Sequence, residues 1–270
     1  MRTTLPHTDW RHERGPFDIV GDVHGCVDEL VDLLHMLGYR VRFEGAGDGR
    51  RAVTSAPRGR RAFFVGDLVN RGPASPDVLR LVMDMVEAGH ALTVIGNHDD
   101  KFRRWLKGHS VKIGGGLDCT IAQLDGEGGA IRARALSFLD KLPSHAWLDG
   151  GTLAVAHAGI AENMLGRATP RTHDFGLYGD TSGRPGADGL PERFNWAAAY
   201  GGSTAVVYGH TPVADAVWQN NTLCIDTGCV FGGKLTALRW PEREIVAVPA
   251  RRAYADMRRP FGHPPDRPLE

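Results

Sequence analysis

The chain has few cysteines, no long apolar run and no net charge, and each absence narrows what it can be. Its four cysteines, Cys26, Cys119, Cys224 and Cys229, form no C-x-x-C pair. That excludes the spacing of a structural zinc site or a thioredoxin-like motif and leaves them as small buried side chains. Met1 to Trp10 has no apolar signal core, and no run approaches the roughly 20 residues of a membrane-spanning helix. A soluble, cytoplasmic protein with no membrane partner is therefore expected. Lys plus Arg and Asp plus Glu stand at 32 each, so no global field favours nucleic acid. Two local basic runs remain, Lys101, Arg103, Arg104 and Lys107, and Arg50, Arg51, Arg58, Arg60 and Arg61. Solvated faces are favoured for both over substrate steering. No internal repeat is visible, and the oligomeric state is not readable.

What the chain does have is a repeated layout. Asp, His and Asn follow short apolar runs five times. Gly21-Asp22-Val23-His24-Gly25 follows Phe17-Asp18-Ile19-Val20, and Gly66-Asp67 follows Ala62-Phe63-Phe64-Val65. Gly96-Asn97-His98-Asp99 follows Ala91-Leu92-Thr93-Val94-Ile95, His157-Ala158-Gly159 follows Leu153-Ala154-Val155-Ala156, and Gly209-His210 follows Ala205-Val206-Val207-Tyr208. Any one of these is more often an ordinary hydrogen-bonding loop. Five together place oxygen and nitrogen donors at strand ends, where loops gather them around divalent ions.

At 42% hydrophobic, 270 residues can enclose one large core, with two stacked sheets in one domain. We expect a loose segment over 1–14, one domain over 15–250, and an irregular Pro/Arg-rich tail over 251–270. A strand at 17–20 leads to a helix from Asp28 to Leu37, with Leu30, Leu33, Leu34 and Leu37 on one face and Gly38 as its stop. Residues 44–60 are Gly- and Arg-rich and read as a surface excursion. A strand at 62–65 precedes a helix opened by Ser75 as cap and Pro76 at its first position, running to about Ala88. The next strand, 91–95, then lies parallel to its predecessor through a crossover. Short helices are expected at Lys101–Lys107 and 194–200, and a longer one from Ala130 to Leu142. Residues 165–190 read as a long loop. Strands are expected at 152–156, 205–209 and 222–226, with a hairpin of Leu235–Trp240 and Glu244–Val248.

Asp22 and His24 sit two apart in an extended segment and can point the same way. Asp67 can bridge two ions through its two oxygens, Asn97 offers a carbonyl oxygen, and His157 and His210 offer ring nitrogens. Mixed oxygen and nitrogen donors suit manganese, iron, zinc or nickel better than calcium or magnesium. Paired ions about 3.5–4 Å apart lower the pKa of a shared water and clamp phosphate oxygens during in-line attack.

GDVHG at 21–25, GDLVNRG at 66–72, GNHD at 96–99, HAG at 157–159 and GHTP at 209–212 resemble the calcineurin-like metallophosphoesterases, in their phosphoprotein-phosphatase branch. GDVHGCVDEL, SPDVLRLVMDMVEAG, GNHDDK, YGHTP and the segment at 220–238 resemble most the phosphatase domain of bacterial polynucleotide kinase-phosphatase, an RNA-repair enzyme. Related bacterial enzymes hydrolyse diadenosine tetraphosphate. The resemblance implies an α/β fold, a four-layer αββα sandwich of two mixed sheets, with a binuclear centre. It places Asp22, His24 and Asp67 at one metal and Asp67, Asn97, His157 and His210 at the other, with manganese expected first. It implies substrate contacts from Arg71, Asn97 and His98, with His98 beside the leaving group and Arg71 as phosphate clamp. Asp226 is implied to orient Arg71 or another active-site group.

The branch carries Asp where this chain has Asn70. Asn70 can still accept from His98 through its carbonyl oxygen, but without charge. A less basic His98 is expected, with less acid catalysis for alkyl leaving groups. Gly228, Gly233 and Lys234 imitate a P-loop, yet Leu235 follows where Ser or Thr must hold magnesium, so a turn before a strand is expected and no kinase or ligase module is read in the chain.

The leading expectation is a metal-dependent phosphatase and phosphodiesterase acting on 2′-phosphate or 2′,3′-cyclic phosphate RNA ends or nucleotides, without sequence-specific reading. The alternatives are a diadenosine tetraphosphate hydrolase, a serine/threonine protein phosphatase, and a catalytically dead protein that binds phosphate ligands. Trp196 and Trp218 are expected as core support.

Overall fold

A computed structural model describes residues 5–186, 191–257 and 261. The first half runs β1 (Phe17–Val20), α1 (Val27–Met36), β2 (Arg40–Glu44), β3 (Arg51–Ser55), β4 (Arg61–Phe64), α2 (Ser75–Glu87), β5 (Ala91–Thr93), α3 (Asn97–Leu106), α4 (Leu117–Asp125) and α5 (Gly129–Leu139). The second half runs β6 (His145–Leu148), β7 (Leu153–Ala156), α6 (Pro170–Tyr178), β8 (Thr181–Pro185), β9 (Pro191–Arg193), β10 (Ala205–Tyr208), β11 (Trp218–Gln219), β12 (Thr222–Cys224), β13 (Lys234–Trp240) and β14 (Glu244–Pro249).

Two five-stranded sheets form, ordered β14-β13-β1-β4-β5 and β11-β12-β10-β7-β6. β1, β4 and β5 are parallel, as are β7, β10 and β12, while β13, β14, β6 and β11 add antiparallel margins. Both sheets are thus mixed, as expected. Alternation along each strand distributes the core. Phe17 and Ile19 of β1 and Phe63 of β4 meet Leu153, Val155, Val207 and Leu223 between the sheets. Val20 and Phe64 face outward onto Leu30, Leu33 and Leu34 of α1 and Val78, Leu81 and Val82 of α2. Ala154, Ala156 and Val206 face the other way, onto Met164, Trp196 and Tyr200. Strands covered on both faces need apolar residues at consecutive positions, and the one buried charge in β1, Asp18, is met by Arg60 and Tyr39. The fourth layer is thin, made from a 3-10 turn at Trp196–Ala199 and Phe175 of α6.

Several expectations change. Residues 5–14 are not loose: Trp10 and Trp147 exchange backbone bonds with Trp147 and Thr8 at 2.8 and 2.9 Å, and Trp10 packs on Phe63. Residues 1–4 lie outside the described residues. The 44–60 excursion contains β3, which pairs with β2 as a hairpin. The 165–190 loop contains α6, capped by Thr169, and β8, which pairs with β9; residues 187–190 lie outside the described residues. Ser75 does not cap α2. Ala74 holds that position, and the Ser75 hydroxyl accepts from the Asn70 N–H at 3.1 Å. α5 ends at Leu139, earlier than expected, and α4 and β6 were not anticipated. In the tail, Arg251 pairs with Asp28 and Asp32 at 2.6 and 3.0 Å, while 258–260 and 262–270 lie outside the described residues. Among the described residues, no helix is long and apolar enough to cross a membrane.

Candidate metal centre

All six loops that leave the parallel strands do so at the carboxyl ends, where ligand sites form in open α/β sheets. They deliver Asp22 after β1, Asp67 after β4, Asn97 and His98 after β5, His157 after β7, His210 after β10 and Asp226 after β12. The backbone turns hard to do so. Among the described residues, five of the eight non-glycine residues with positive φ are His24, Asp67, Asn70, Arg71 and His210. Such conformations cost about 1–3 kcal/mol each and persist where surroundings over-determine them.

Two histidines are aimed by backbone carbonyls. His24 Nδ1 lies 2.9 Å from the Val69 oxygen, and His157 Nδ1 lies 3.2 Å from the Val65 oxygen. An N–H donated there turns the lone pair of each Nε2 towards the centre, the arrangement that orients metal-binding imidazoles. Asp67 Oδ2 lies between them, 3.4 Å from His24 Nε2 and 3.5 Å from His157 Nε2. Its Oδ1 accepts the His98 backbone N–H at 2.9 Å. On the far side of His157, Nε2 lies 3.1 Å from His210 Nδ1, and both nitrogens lie 2.9 Å from Asn97 Oδ1. Lone-pair donors this close, converging on a buried carboxylate, are what a cation reconciles.

The electrostatics agree. Burial pushes Asp67 up to about 7. Burial, reinforced by the Asp226 and Asp67 charges, raises Asp22 well above the carboxylate range. Burial also raises Asp226, to about 6. His157 falls to about 3, and His24, His98 and His210 fall well below the usual imidazole value, in each case chiefly through burial. Crowded carboxylates and neutral imidazoles fit divalent cations, and the oxygen-plus-nitrogen set fits manganese, iron, zinc or nickel.

Two trios gather their ligand atoms within 4.8 Å and share Asp67: Asp67, His157 and His210, and His24, Asp67 and His98. The second holds His98 where Asp22 was expected, but Asn70 Nδ2 occupies His98 Nδ1 at 2.9 Å and leaves the proton on Nε2, so His98 stands beside this group without a lone pair to offer an ion. Asp22 is held beside the group by the His210 N–H, 3.1 Å from Oδ2.

Arg71 reaches the same ring, its Nη1 2.7 Å from His24 Nε2 and its guanidinium 5.2 Å from the Phe231 ring centre. Asp226 accepts the Gly228 N–H at 3.0 Å, and Arg71 is near enough to lower its pKa. Asn70 departs from expectation. Its Nδ2, not its carbonyl oxygen, faces His98 Nδ1 at 2.9 Å, and Oδ1 accepts from the Thr120 hydroxyl at 2.8 Å. Donation from Asn70 keeps the His98 proton on Nε2.

Sequence reasoning missed three contributors. Asp99 accepts from Leu68 N at 2.9 Å and Gly96 N at 3.1 Å, tying two ligand loops together. Arg193, on β9, donates to Thr211 Oγ1 at 2.7 Å, and its charge lowers His157 and His210. The glycines before α4 approach the site, with Gly116 O accepting from Arg71 N at 3.5 Å. GNHD contained the signal for Asp99. Pro191-Glu192-Arg193 follows a Gly-rich stretch and gave none. The basic runs are largely structural: Arg103 and Lys107 pair with Asp140, Arg50 with Asp77, and Arg60 with buried Asp18. Trp196 packs in the outer core, and Trp218 lies against the inter-sheet core.

Comparison with known proteins points the same way. The sequence profile of the calcineurin-like phosphoesterases matches residues 15–240. The bis(5′-nucleosyl)-tetraphosphatase PrpE [asymmetrical] of Anoxybacillus flavithermus is 42% identical over 250 residues, covering 91% of this chain and 99% of that protein. The Bacillus subtilis protein of the same name is 42% identical over 246 residues, covering 90% and 98%. A crystal structure of a protein provisionally called a diadenosine tetraphosphatase aligns with TM-score 0.63 and 26% identity, over 90% of this chain and 97% of that one. A yeast serine/threonine phosphatase shares the fold, with TM-score 0.57 at 12% identity.

Proposed function

We propose that this chain, which belongs to the calcineurin-like phosphoesterase family, hydrolyses bis(5′-nucleosyl) tetraphosphates asymmetrically, releasing a nucleoside triphosphate and a nucleoside monophosphate. The observation that carries the substrate is near-end-to-end similarity to relatives bearing that name, at 42% identity over 91% of the chain. This reverses the order of substrates expected from the sequence, where RNA ends came first.

In this reading Asp22, His24, Asp67, Asn97, His157 and His210 hold two divalent cations, manganese first among them. Such a pair supplies Lewis acidity at the phosphoryl group and lowers the pKa of water. The chain's own residues do the rest. Arg71 and Arg193, from different elements, bind oxygens of the polyphosphate, using the fork of donors that suits phosphate. Asn97 and His98 contact the phosphoryl group under attack. Neutral His98 offers its Nε2 proton to the leaving oxygen, while Asn70 and Thr120 fix the ring. A neutral, weakly basic donor is enough here, because a polyphosphate leaves readily without full protonation. An alkyl alcohol does not.

The test is a manganese-supplemented panel of diadenosine tetraphosphate, 2′,3′-cyclic nucleotides, 2′- and 3′-nucleotides and a phosphopeptide. Preference for the tetraphosphate, with ATP and AMP as products, supports the proposal. Two equivalents of ADP, or preference for the cyclic or 2′-phosphate substrates, overturns it.

A further inference from the structure

A second group of ligand-type side chains lies outside the phosphoester centre and takes no part in it. Cys26 immediately precedes the first turn of α1, Glu29 sits one turn further on, and Cys229 lies in the turn between Asp226 and β13. The i, i+3 spacing puts Cys26 and Glu29 on one face. Each of the three offers one ligand atom, and these atoms all lie within 4.8 Å of one another. Cys26, Glu29 and Cys229 are 0%, 1% and 1% exposed.

Glu29 shows what is unusual. Its Oε1 accepts from the Arg251 N–H at 2.9 Å and the Tyr254 hydroxyl at 2.7 Å. Its Oε2 is shut from solvent and has no hydrogen-bond partner. A buried carboxylate oxygen left unpaired costs several kcal/mol, so each such case needs an account. The surrounding chain holds this pocket closed. Tyr254 N and Ala255 N donate to the Val230 oxygen at 2.9 and 3.1 Å, and Arg251 spans Asp28 and Asp32 on α1.

We propose that Cys26 Sγ, Cys229 Sγ and Glu29 Oε2 form a separate site for a thiophilic divalent cation of the zinc class. Two sulfurs and one carboxylate oxygen match the donors zinc takes at about 2.0–2.3 Å, with a fourth position left to water. Manganese and magnesium, which prefer oxygen, are discriminated against. Bound zinc partners the orphaned oxygen. It also cross-links α1 to the turn before β13, beside the loops that carry His24 and Asp226, while the segment after β14 stays tied to the same Glu29 through Oε1.

The test uses cobalt(II) as the probe on the full, metal-stripped chain kept reduced with a phosphine. Cobalt bound here produces a sulfur-to-cobalt charge-transfer band in the near ultraviolet, which excess zinc abolishes by displacing the cobalt. Cobalt at the phosphoester centre produces none, because no sulfur is among its donors. Manganese-dependent hydrolysis is scored separately, so failure of one proposal is not failure of the other. Cys229→Ser should at least halve the band, and Glu29→Gln should weaken zinc binding, read as displacement of the band, by about 10-fold or more. No band in the unaltered chain with its thiols shown free by alkylation overturns the proposal, whether or not the variants fold. A band at full intensity in Cys229→Ser, or zinc displacing the band equally well in Glu29→Gln, also overturns it.

Discussion

The amide of Asn70 donates to His98 Nδ1 at 2.9 Å while its oxygen is taken by Thr120. Asp at this position keeps the Thr120 bond on one oxygen and offers the other as an acceptor for His98 Nδ1–H. The ring then becomes a stronger acid–base group. Asn70→Asp should raise hydrolysis of an alkyl phosphate relative to diadenosine tetraphosphate by about 10-fold or more, within the 10²–10⁴ that general acid catalysis contributes. An unchanged ratio sinks the role given to Asn70. The same residues set a pH dependence. In the metal-free fold Asp67 sits at about 7 and Asp99 at about 8, each raised chiefly by burial. From about pH 7 upward the buried His24, His98, His157 and His210 are neutral in the folded chain and mostly neutral in the unfolded one, so the raised carboxylates dominate. The native state then holds more protons than the unfolded chain, and stability falls as pH rises towards about 8. Thermal melts of the metal-stripped protein should show Tm dropping over that interval and manganese should suppress the drop. A Tm that climbs instead contradicts the electrostatic account.

Elements were legible where burial demanded it. β7 and β10 carry unbroken apolar runs because both faces are covered, β4 does so after Arg61, β1 is interrupted only by Asp18, which Arg60 and Tyr39 satisfy, and the Leu30, Leu33 and Leu34 stripe marks α1. β2 and β3 hid among arginines because their hairpin is half exposed: Glu44 and all of β3 fall within the excursion expected over 44–60, and no element is expected at 40–43. α6 was marked by Thr169-Pro170, the cap-and-proline pattern read at Ser75-Pro76 and realised only here, but the glycines around it masked the pattern. The ligand loops were legible because metal chemistry restricts residue type. Their spacing depends on glycines that sequence alone does not explain. A Cβ on Gly96 would run into Asp67 Oδ1 and the Asp67 backbone nitrogen. Gly96→Ala should therefore displace the Asp67 carboxylate while leaving both sheets formed. Activity should fall by about 100-fold or more, the cost of misplacing a reacting group by about 1 Å, with the far-ultraviolet dichroism unchanged. Retained activity would show that Asp67 does not need that position.

At the scale of the whole molecule, the centre is a joint between two sheets. Asp67 and Asn97 come from the sheet holding β4 and β5, whereas His157 and His210 come from the sheet holding β7 and β10. The inter-sheet core holds the sheets together without any cation, through Phe17, Ile19 and Phe63 against Leu153, Val155 and Val207. Metal therefore adds to an existing fold rather than creating one. Cations that bind only the native state stabilise it by about 2.7 kcal/mol per site at 100 times Kd. Each kcal/mol moves Tm by about 2–4 °C in a chain of about 150–250 residues. Manganese at that level should raise Tm by about 5–10 °C for one occupied site. Asp67→Asn should remove most of the rise, because Asp67 is common to both trios. The choice of manganese keeps this test apart from the sulfur-containing site, which disfavours it. If Asp67→Asn keeps the full manganese shift, the ligands from the two sheets do not share a centre, and the phosphoester chemistry built on that joint fails with it.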